Sequence, residues 1–334
     1  MLLRAFFPNR MFYDILLDIF LTIAVLVAYV SFSMSHLFLP LFALAFIRLY
    51  LSVMEYLIFQ RPEKFRKASL ELDHWNVSDI FVQNVKIQFY QYTGETSKPA
   101  ILFLHGWRSS ASRMMQRMKY FVDHGWSVLA VDLPNHGSSE AVQKWSAEFS
   151  TTCVIEILNA TKSDYNDVPF FIYGHSMGGF IGLRLCQRKP EWASNVDLNS
   201  IILESPMTQY SLILEETYRI LRTPRVLRGV LNRRIFTTVS RLRTISSVFT
   251  TIQQADIPHW GMPHVPALIL QAEHDVRLGR SHYNAFIEHL EKHSLVYEAH
   301  LVSSLTHTGS DDNAERTSIL DTYLKERIEP SFFR

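Results

Sequence analysis

The sequence predicts an α/β protein with a mostly parallel sheet flanked by helices, preceded by two apolar helices long enough to span a membrane. Three observations on the 334-residue chain support this prediction. No Asp, Glu, Lys or Arg occurs from Ile19 to Ile47. After Lys67, short apolar runs alternate with helical stretches. Hydrophobic residues make up 48% and charged residues 19%, which excludes a disordered or collagen-like chain.

The N-terminal apolar region runs from about 11 to 59, which is too long for one ordinary membrane span. A polar break at 33–36 divides it into helices of about 12–34 and 37–59. Residues 1–67 are therefore predicted to form a membrane anchor, a transmembrane helical hairpin. A cleaved signal peptide is excluded because its apolar core is shorter and ends at a small-residue cleavage site. A buried hairpin in a soluble protein remains an alternative.

Arg48 lies in the middle of the second apolar helix, where a charge is costly. In an antiparallel hairpin, Asp18 or Glu55 would lie within its reach. Alternatively, the second helix lies in the membrane interface instead of spanning it. Basic residues flank both ends of the hairpin, at Arg4, Arg10, Arg61, Lys64, Arg66 and Lys67. Because basic flanks stay cytoplasmic, we expect a multi-pass membrane protein with its soluble part in the cytoplasm.

The soluble part, residues 68–334, shows the alternation typical of parallel sheets covered on both faces. The predicted strands are Ile80–Tyr92, Ala100–Leu104, Ser127–Val131, Phe170–Tyr173, Ser200–Leu203, Ala267–Gln271 and Val296–Val302. The predicted helices are Ser112–Asp123, Trp145–Lys162, Gly178–Gln187, Ser281–Lys292 and Ala314–Arg327. No internal repeat is visible.

One long segment without strands interrupts the alternation, and we predict a helical cap there, over about 206–262, inserted after strand 6. Within it, Thr217–Ala255 contains no Asp, Glu or Lys but eight arginines: Arg219, Arg222, Arg225, Arg228, Arg233, Arg234, Arg241 and Arg243. These arginines could contact anionic headgroups or phosphates, or they could pair with carboxylates and solvate a helix face.

The motif G-x-S-x-G occurs at 174–178, directly after an apolar strand and before a helix. This context predicts a nucleophile elbow, in which Ser176 is exposed at the carboxyl end of the sheet. A Cβ on Gly174 or Gly178 would collide with the neighbouring strand or helix. An acyl-transfer enzyme also needs two N–H donors for the developing oxyanion. We predict that Met177 and Trp107 supply them, since Trp107 follows a strand and Gly106 allows close approach.

With His105-Gly106-Trp107, the run DLPNHGSS at 132–139 and GHSMGG at 174–179, the sequence resembles the α/β-hydrolase superfamily. It is most similar to the lipase and esterase-like branch often labelled serine aminopeptidase or monoglyceride lipase. The resemblance covers about Ile80 to Arg327 and implies an α/β-hydrolase fold. It is a poor guide to substrate, because this fold hosts many reactions.

This resemblance implies the chain order Ser, then acid, then His. Asp275 best fits the implied position of the acid, Glu273 is the nearer alternative and Glu204 a third. His307, after the last strand, is the expected base. His307 would take the proton from Ser176, and Asp275 would hold the imidazole in the correct tautomer.

The remaining polar motifs have plainer interpretations. His136 is interpreted as a residue that locks a turn, because it precedes the serine in the chain. His289 and His293 lie four residues apart on a helix without a third ligand, so no metal site is predicted. Cys153 and Cys186 are too few for a disulfide framework, and Cys186 is assigned to core packing. No dinucleotide fingerprint occurs, and no cofactor is expected.

The sequence therefore predicts a membrane-anchored serine hydrolase that cleaves lipid-like carboxylic esters. A thioesterase or serine peptidase with the same three residues is the alternative within the superfamily. A non-catalytic binding protein on the same fold is an alternative of another class. The expected partners are a small acyl ester and membrane lipid. The net charge of +1 gives no support for nucleic-acid binding.

Overall fold

The structure is a computed structural model. It describes residues 10–32, 36, 38–58, 74–142, 145–193, 196–240, 251–309 and 312–328. The chain divides into two compact units. The sheet unit comprises Pro62–Ile213 and Val248–Arg334, and the helical unit comprises Met1–Arg61 and Leu214–Ser247.

The sheet unit is built on one eight-stranded sheet. Its strands are β1 (Trp75–Val82), β2 (Val85–Tyr92), β3 (Ala100–Leu104), β4 (Ser127–Val131), β5 (Phe170–His175), β6 (Leu198–Glu204), β7 (Ala267–Ala272) and β8 (Tyr297–Val302). Their spatial order is β1-β2-β4-β3-β5-β6-β7-β8. Strand β2 pairs antiparallel with both neighbours, and the strands from β4 to β8 are parallel.

Helices connect the parallel strands. They are α3 (Met115–Asp123), α4 (Ala147–Ala160), α5 (Met177–Gln187) and α8 (Gly279–Lys292), and α9 (Ala314–Arg327) follows the last strand. Further helices are α1 (Arg10–Ser31), α2 (Phe38–Ile58), α6 (Tyr210–Ile220) and α7 (Arg225–Ser240). Strands β3, β5 and β7 are buried along their whole length. This explains why they read as continuous apolar runs and not as alternating ones.

The first predicted strand is wrong in its extent. The run Ile80–Tyr92 contains the end of β1, which begins at Trp75, and the whole of β2, and the two antiparallel strands are joined by a two-residue turn between Val82 and Val85. Gln83 and Asn84 have φ values of 50° and 64°. Such a turn matches the twist of the two strands, but its usual sequence marker is Asn-Gly or Asp-Gly. The apolar pattern alone gives no sign of the reversal at Gln83.

The helical unit contains two long apolar helices, α1 and α2. Tyr13–Ser31 and Phe38–Ile58 are long and apolar enough to cross a membrane. A core helix or a signal sequence would satisfy the same criteria of length and composition. The basic residues 4, 61, 64, 66 and 67, on which the predicted orientation depends, lie outside the described residues, as does the break at 33–35.

A polar cluster lies among these apolar helices. Arg48 of α2 forms an ion pair with Asp18 of α1, one of the two partners that the sequence suggests. The buried Asp18 also accepts a hydrogen bond from the Ser52 hydroxyl at 2.5 Å. Arg234 of α7 contacts the Glu55 carboxylate at 2.9 Å and the Ser52 hydroxyl at 2.8 Å. The buried carboxylates Asp18 and Glu55 are therefore each paired with an arginine, as burial requires.

The segment between β6 and β7 contains α6, α7 and a short 3₁₀ turn at Ile252–Ala255, with no strand in its described residues. Residues 214–247 of this segment form one unit with the N-terminal helices. Three of its arginines make ion pairs, Arg219 with Glu216, Arg228 with Glu215 and Arg234 with Glu55. Residues 222, 225 and 233 are exposed, and 241 and 243 lie outside the described residues.

Candidate active site

Ser176 lies in a sharp turn between β5 and α5. Its φ is 54° and its ψ is −118°, a strained conformation for a residue with a side chain. A Cβ on Gly178 would lie 2.0 Å from the Leu104 carbonyl oxygen, and one on Gly174 would lie 2.6 Å from the Gly179 Cα. Both glycines are therefore required by the close approach of strand and helix. The peptide N–H of Ser176 donates to the Glu204 carbonyl oxygen at 3.0 Å.

The structure brings Ser176, His307 and Asp275 together. The Ser176 Oγ lies 2.9 Å from His307 Nε2, and His307 Nδ1 lies 2.8 Å from Asp275 Oδ2. His307 follows β8 and Asp275 follows β7, so both lie at the carboxyl edge of the sheet with Ser176. All three side chains lie in the same unit.

Asp275 is held by four hydrogen-bond donors. Its Oδ1 accepts the peptide N–H groups of Arg277 at 2.8 Å and Leu278 at 2.9 Å. Its Oδ2 accepts from His307 and, at 3.2 Å, from the Gln271 amide. Burial alone would raise the pKa of Asp275, but the hydrogen bond and charge of His307 and the two peptide groups outweigh it and lower the pKa to about 2. The carboxylate is therefore ionised at neutral pH.

The loop after β3 lies beside the serine. A Cβ on Gly106 would be 3.1 Å from the Ser176 Cβ and 3.0 Å from His175 Nδ1. Gly106 therefore allows the backbone to pass close to Ser176, and the Trp107 peptide follows directly. Met177 is the first residue of α5, so its peptide N–H has no partner within the helix.

Comparisons with known proteins identify relatives of this chain. A family model described as serine aminopeptidase, S33, matches residues 95–235. The 2-succinyl-6-hydroxy-2,4-cyclohexadiene-1-carboxylate synthase of Salmonella paratyphi C is 35% identical over 98 residues, which cover 29% of this chain and 36% of that enzyme. The chain thus spans about a third of the length of the curated relatives it matches.

Solved structures share the fold over most of the chain. An esterase from Pyrococcus furiosus has a TM-score of 0.57 and 17% identity, covering 81% of this chain and 98% of the esterase. The chain has the α/β-hydrolase fold. An epoxide hydrolase from Vigna radiata has a TM-score of 0.53 and 15% identity, and the match covers 78% of this chain and 100% of the epoxide hydrolase. Such distant likeness establishes the fold alone.

The two alternative acids contact other groups. Glu273 lies 3.6 Å from Arg280, and both side chains are partly exposed. Glu204 is buried and forms a two-point ion pair with Arg117. Of the three candidate acids, Asp275 is the one that His307 contacts.

The histidines for which the sequence favours other interpretations lie outside the line of Ser176, His307 and Asp275. His136 Nδ1 lies 2.9 Å from the Pro134 carbonyl oxygen in the turn after β4, which fits the turn-locking interpretation. Burial lowers the pKa of His136 to about 3, so its ring is neutral. His289 and His293 stack on each other along α8. Within the described residues, no three His, Cys, Asp or Glu side chains form a group that could hold a metal.

Sequence reasoning missed the groups that contact the His307 loop. Arg117 donates to the Gly309 carbonyl oxygen at 2.8 Å, and His175 Nε2 lies 2.8 Å from the His307 carbonyl oxygen. Neither residue carries a motif for this role, and Arg117 is separated from Gly309 by 192 positions. The sequence also does not reveal that Arg117 is buried, because an arginine on an amphipathic helix is usually exposed.

Proposed function

We propose that this chain is a membrane-anchored serine hydrolase that cleaves carboxylic esters through an acyl-enzyme. The observation that carries the proposal is the hydrogen-bonded line from the Ser176 hydroxyl through His307 to Asp275, with spacings of 2.9 and 2.8 Å. A serine hydroxyl is a weak nucleophile unless an adjacent base removes its proton. His307 occupies the position of that base, and Asp275 holds its ring.

The proposed reaction has two halves. Ser176 Oγ attacks the ester carbonyl carbon while its proton passes to His307 Nε2. The tetrahedral intermediate then collapses, the ester C–O bond breaks, and His307 returns the proton to the leaving alcohol. Water repeats the sequence on the acyl-enzyme, with His307 as base, and releases the carboxylic acid and free Ser176. Throughout, Asp275 stays ionised and stabilises the imidazolium.

Two peptide N–H groups are proposed to hold the oxyanion, those of Trp107 and Met177. The Met177 N–H belongs to the first turn of α5, where the helix dipole also favours negative charge. The Trp107 peptide follows Gly106, which packs on Ser176. One donor of this kind contributes about 10²–10³-fold to kcat. Together they account for stabilisation that His307 and Asp275 cannot supply.

The anchor is proposed to be a two-helix hairpin formed by α1 and α2. Its outer surface supports this, since side chains along both helices, Phe20, Val27, Leu44 and Phe46 among them, are more than half exposed. A contiguous exposed apolar surface of this kind marks a membrane or partner contact. The basic flanks favour a cytoplasmic sheet unit. In alkaline carbonate, the full chain should stay with the membrane pellet, and its release would refute the anchor.

We further propose that α7 contacts anionic lipid at the membrane surface. Arg225 and Arg233 on α7, with Arg222 just before it, are exposed and form no ion pair within the described residues. The same helix is tied to α2 through Arg234 and Glu55. A basic residue near such a surface contributes about 1 kcal/mol. Activity on vesicles should therefore rise with phosphatidylserine content and fall with salt, whereas equal activity on phosphatidylcholine would argue against lipid contact.

A lipid-like ester is the substrate class that fits a hydrolase anchored in this way. The same three residues would also cleave a thioester or an amide, and the matching family model is described as a serine aminopeptidase. Profiling with p-nitrophenyl esters of increasing chain length, acyl-CoAs and aminoacyl amides separates these classes. We expect the highest kcat/KM for esters, and a higher value for acyl-CoA or amide would replace the proposed substrate.

Labelling with a fluorophosphonate probe tests the nucleophile. The wild-type chain should be labelled, and Ser176→Ala should not. Ser138→Ala, which removes a serine hydroxyl from the turn after β4, is the matched control and should be labelled as the wild type is. Equal labelling of wild type and Ser176→Ala would remove the catalytic proposal and favour a binding protein on this fold.

A further inference from the structure

A buried charge network lies behind the proposed active site, in the sheet unit. Glu204 ends β6, and its carboxylate is 1% exposed. Arg117 of α3 contacts both of its oxygens, through Nε at 2.9 Å and through Nη2. The Tyr173 hydroxyl donates to the same carboxylate at 2.5 Å, and Arg316 of α9 lies 3.7 Å away. Three elements of the fold therefore converge on one carboxylate.

The charges in this network are strongly coupled. Burial would raise the pKa of Glu204, but the charge and hydrogen bonds of Arg117 outweigh burial and hold the pKa well below its usual range. Likewise, burial would lower the pKa of Arg117, and Glu204 raises it. Both groups are ionised at neutral pH. A buried pair of this kind is costly to assemble, and stability alone does not account for it.

The network contacts the backbone beside two of the proposed catalytic residues, Ser176 and His307. The Glu204 carbonyl oxygen accepts the Ser176 N–H at 3.0 Å. Arg117 Nη2 donates to the Gly309 carbonyl oxygen at 2.8 Å, two residues after His307. Beside it, His175 Nε2 donates to the carbonyl oxygen of His307 itself, at 2.8 Å. Glu204 and Arg117 thus connect the backbone of the serine to the loop that carries the histidine.

We propose that Arg117, oriented by Glu204, is a positioning residue that together with His175 fixes the loop 305–309. This proposal rests on the proposed function, in which His307 is the base. The loop is short and follows β8, which lies at the edge of the sheet and pairs with a neighbouring strand on one side only. Among the described residues, its backbone forms two long hydrogen bonds, from the Leu305 N–H to Val302 at 3.3 Å and from the Gly309 N–H to Thr306 at 3.2 Å. The two side-chain donors supply the constraint that its own backbone lacks.

This role differs from that of a group that touches substrate. Loss of the Gly309 bond would let the His307 imidazole drift from Ser176, which lowers kcat but leaves the binding of the ester unchanged. A misplacement of about 1 Å can cost on the order of 100-fold in rate. We expect a fall of about 10- to 100-fold in kcat, with KM within about twofold of wild type.

Arg117→Lys is the test variant, because it retains the charge beside Glu204 but removes the forked contact that reaches Gly309. Arg184→Lys is the matched control. Arg184 forms a two-point pair with Glu148 that is also buried, at 2.8 and 3.2 Å, between α4 and α5. Each variant replaces a two-point contact of an arginine with a buried carboxylate by a one-point contact of a lysine. Of the two arginines, Arg117 is the one that contacts the loop of His307.

The measurement is kcat and KM on one p-nitrophenyl ester, with the melting temperature of each variant. Arg117→Lys should lose kcat out of proportion to Arg184→Lys at a similar melting temperature. Equal kcat in the two variants would overturn the proposal. If Arg117→Lys does not fold, His175→Phe decides, since it removes the bond to His307 without leaving a charge unpaired. A kcat of His175→Phe within twofold of wild type would also overturn it.

The outcome is separable from that of the proposed function. If Ser176→Ala retains full activity, the nucleophile is wrong and the positioning role fails with it. If Ser176→Ala is inactive while Arg117→Lys matches Arg184→Lys, the proposed function stands and only the positioning role is lost.

Discussion

Asp275→Asn should reduce kcat far more than it reduces stability. In the wild type, each carboxylate oxygen accepts two hydrogen bonds, Oδ1 from the peptides of Arg277 and Leu278, and Oδ2 from His307 and Gln271. An amide has one acceptor oxygen and one NH₂ donor. The two peptide donors fix its oxygen at the Oδ1 position, and the NH₂ group then faces His307.

An NH₂ group facing His307 Nδ1 forces a change of tautomer. The ring nitrogen must accept instead of donate, so its proton moves to Nε2, which faces the Ser176 hydroxyl at 2.9 Å. A protonated Nε2 cannot remove the serine proton. In serine proteases, the same change from aspartate to asparagine lowers kcat by about 10⁴-fold. A tenfold loss corresponds to about 1.36 kcal/mol, so we expect a barrier higher by about 5 kcal/mol.

The assay is kcat on a p-nitrophenyl ester, with Glu273→Gln as the matched control. Glu273 is two positions away, partly exposed and paired with Arg280 at 3.6 Å, so its amide should leave kcat within about twofold of wild type. The tautomer explanation fails if Asp275→Asn retains more than a tenth of wild-type kcat, or if Glu273→Gln is the more damaged of the two.

Three further predictions concern folding. Gly178→Ala should not fold, or should melt at least about 10 °C lower, because its Cβ would lie 2.0 Å from the Leu104 oxygen; an unchanged melting temperature would contradict this. Burial lowers the pKa of His175 from 6.5 to about 3, so the unfolded chain gains a proton first and stability should fall as pH drops below about 6.5; His175→Phe should flatten that slope in melting curves. In detergent, a double-mutant cycle of Asp18→Asn and Arg48→Leu should give a coupling of about 1 kcal/mol, and additive effects would mean the pair contributes nothing.

The parts of the fold that can be predicted from sequence are those set by local patterns. The turn around Ser176 is marked by two glycines between a strand and a helix that are adjacent in the chain, although the contact that requires Gly178 is with Leu104 of β3. Strands β3, β4, β5 and β7 read directly as apolar runs because both faces are buried. Asp275 and His307 follow from the chain order that the resemblance implies, each directly after a strand. Their hydrogen bonds to each other could not be read from the sequence.

The parts that cannot be predicted from sequence depend on contacts between distant segments. The reversal at Gln83 has no glycine to mark it, so β1 and β2 merge into one apolar run. The pairing of the arginines between β6 and β7 is another case, because Arg234 pairs with Glu55, which lies 179 positions earlier in the chain. The contacts of Arg117 could not be predicted for the same reason. Its partner Glu204 is a candidate acid by its position after a strand, and only the three-dimensional fold assigns it to an arginine.

Trapping of the acyl-enzyme asks most directly whether Ser176 is the nucleophile. A slow ester is mixed with the full chain in detergent, quenched in acid within the first turnovers, digested and analysed by mass spectrometry. We expect the peptide containing Ser176 to gain the mass of the acyl group less one hydrogen, and Asp275→Asn to accumulate far less of this adduct. Ester turnover with no adduct on that peptide, or with the adduct on a different side chain, would contradict the proposed mechanism.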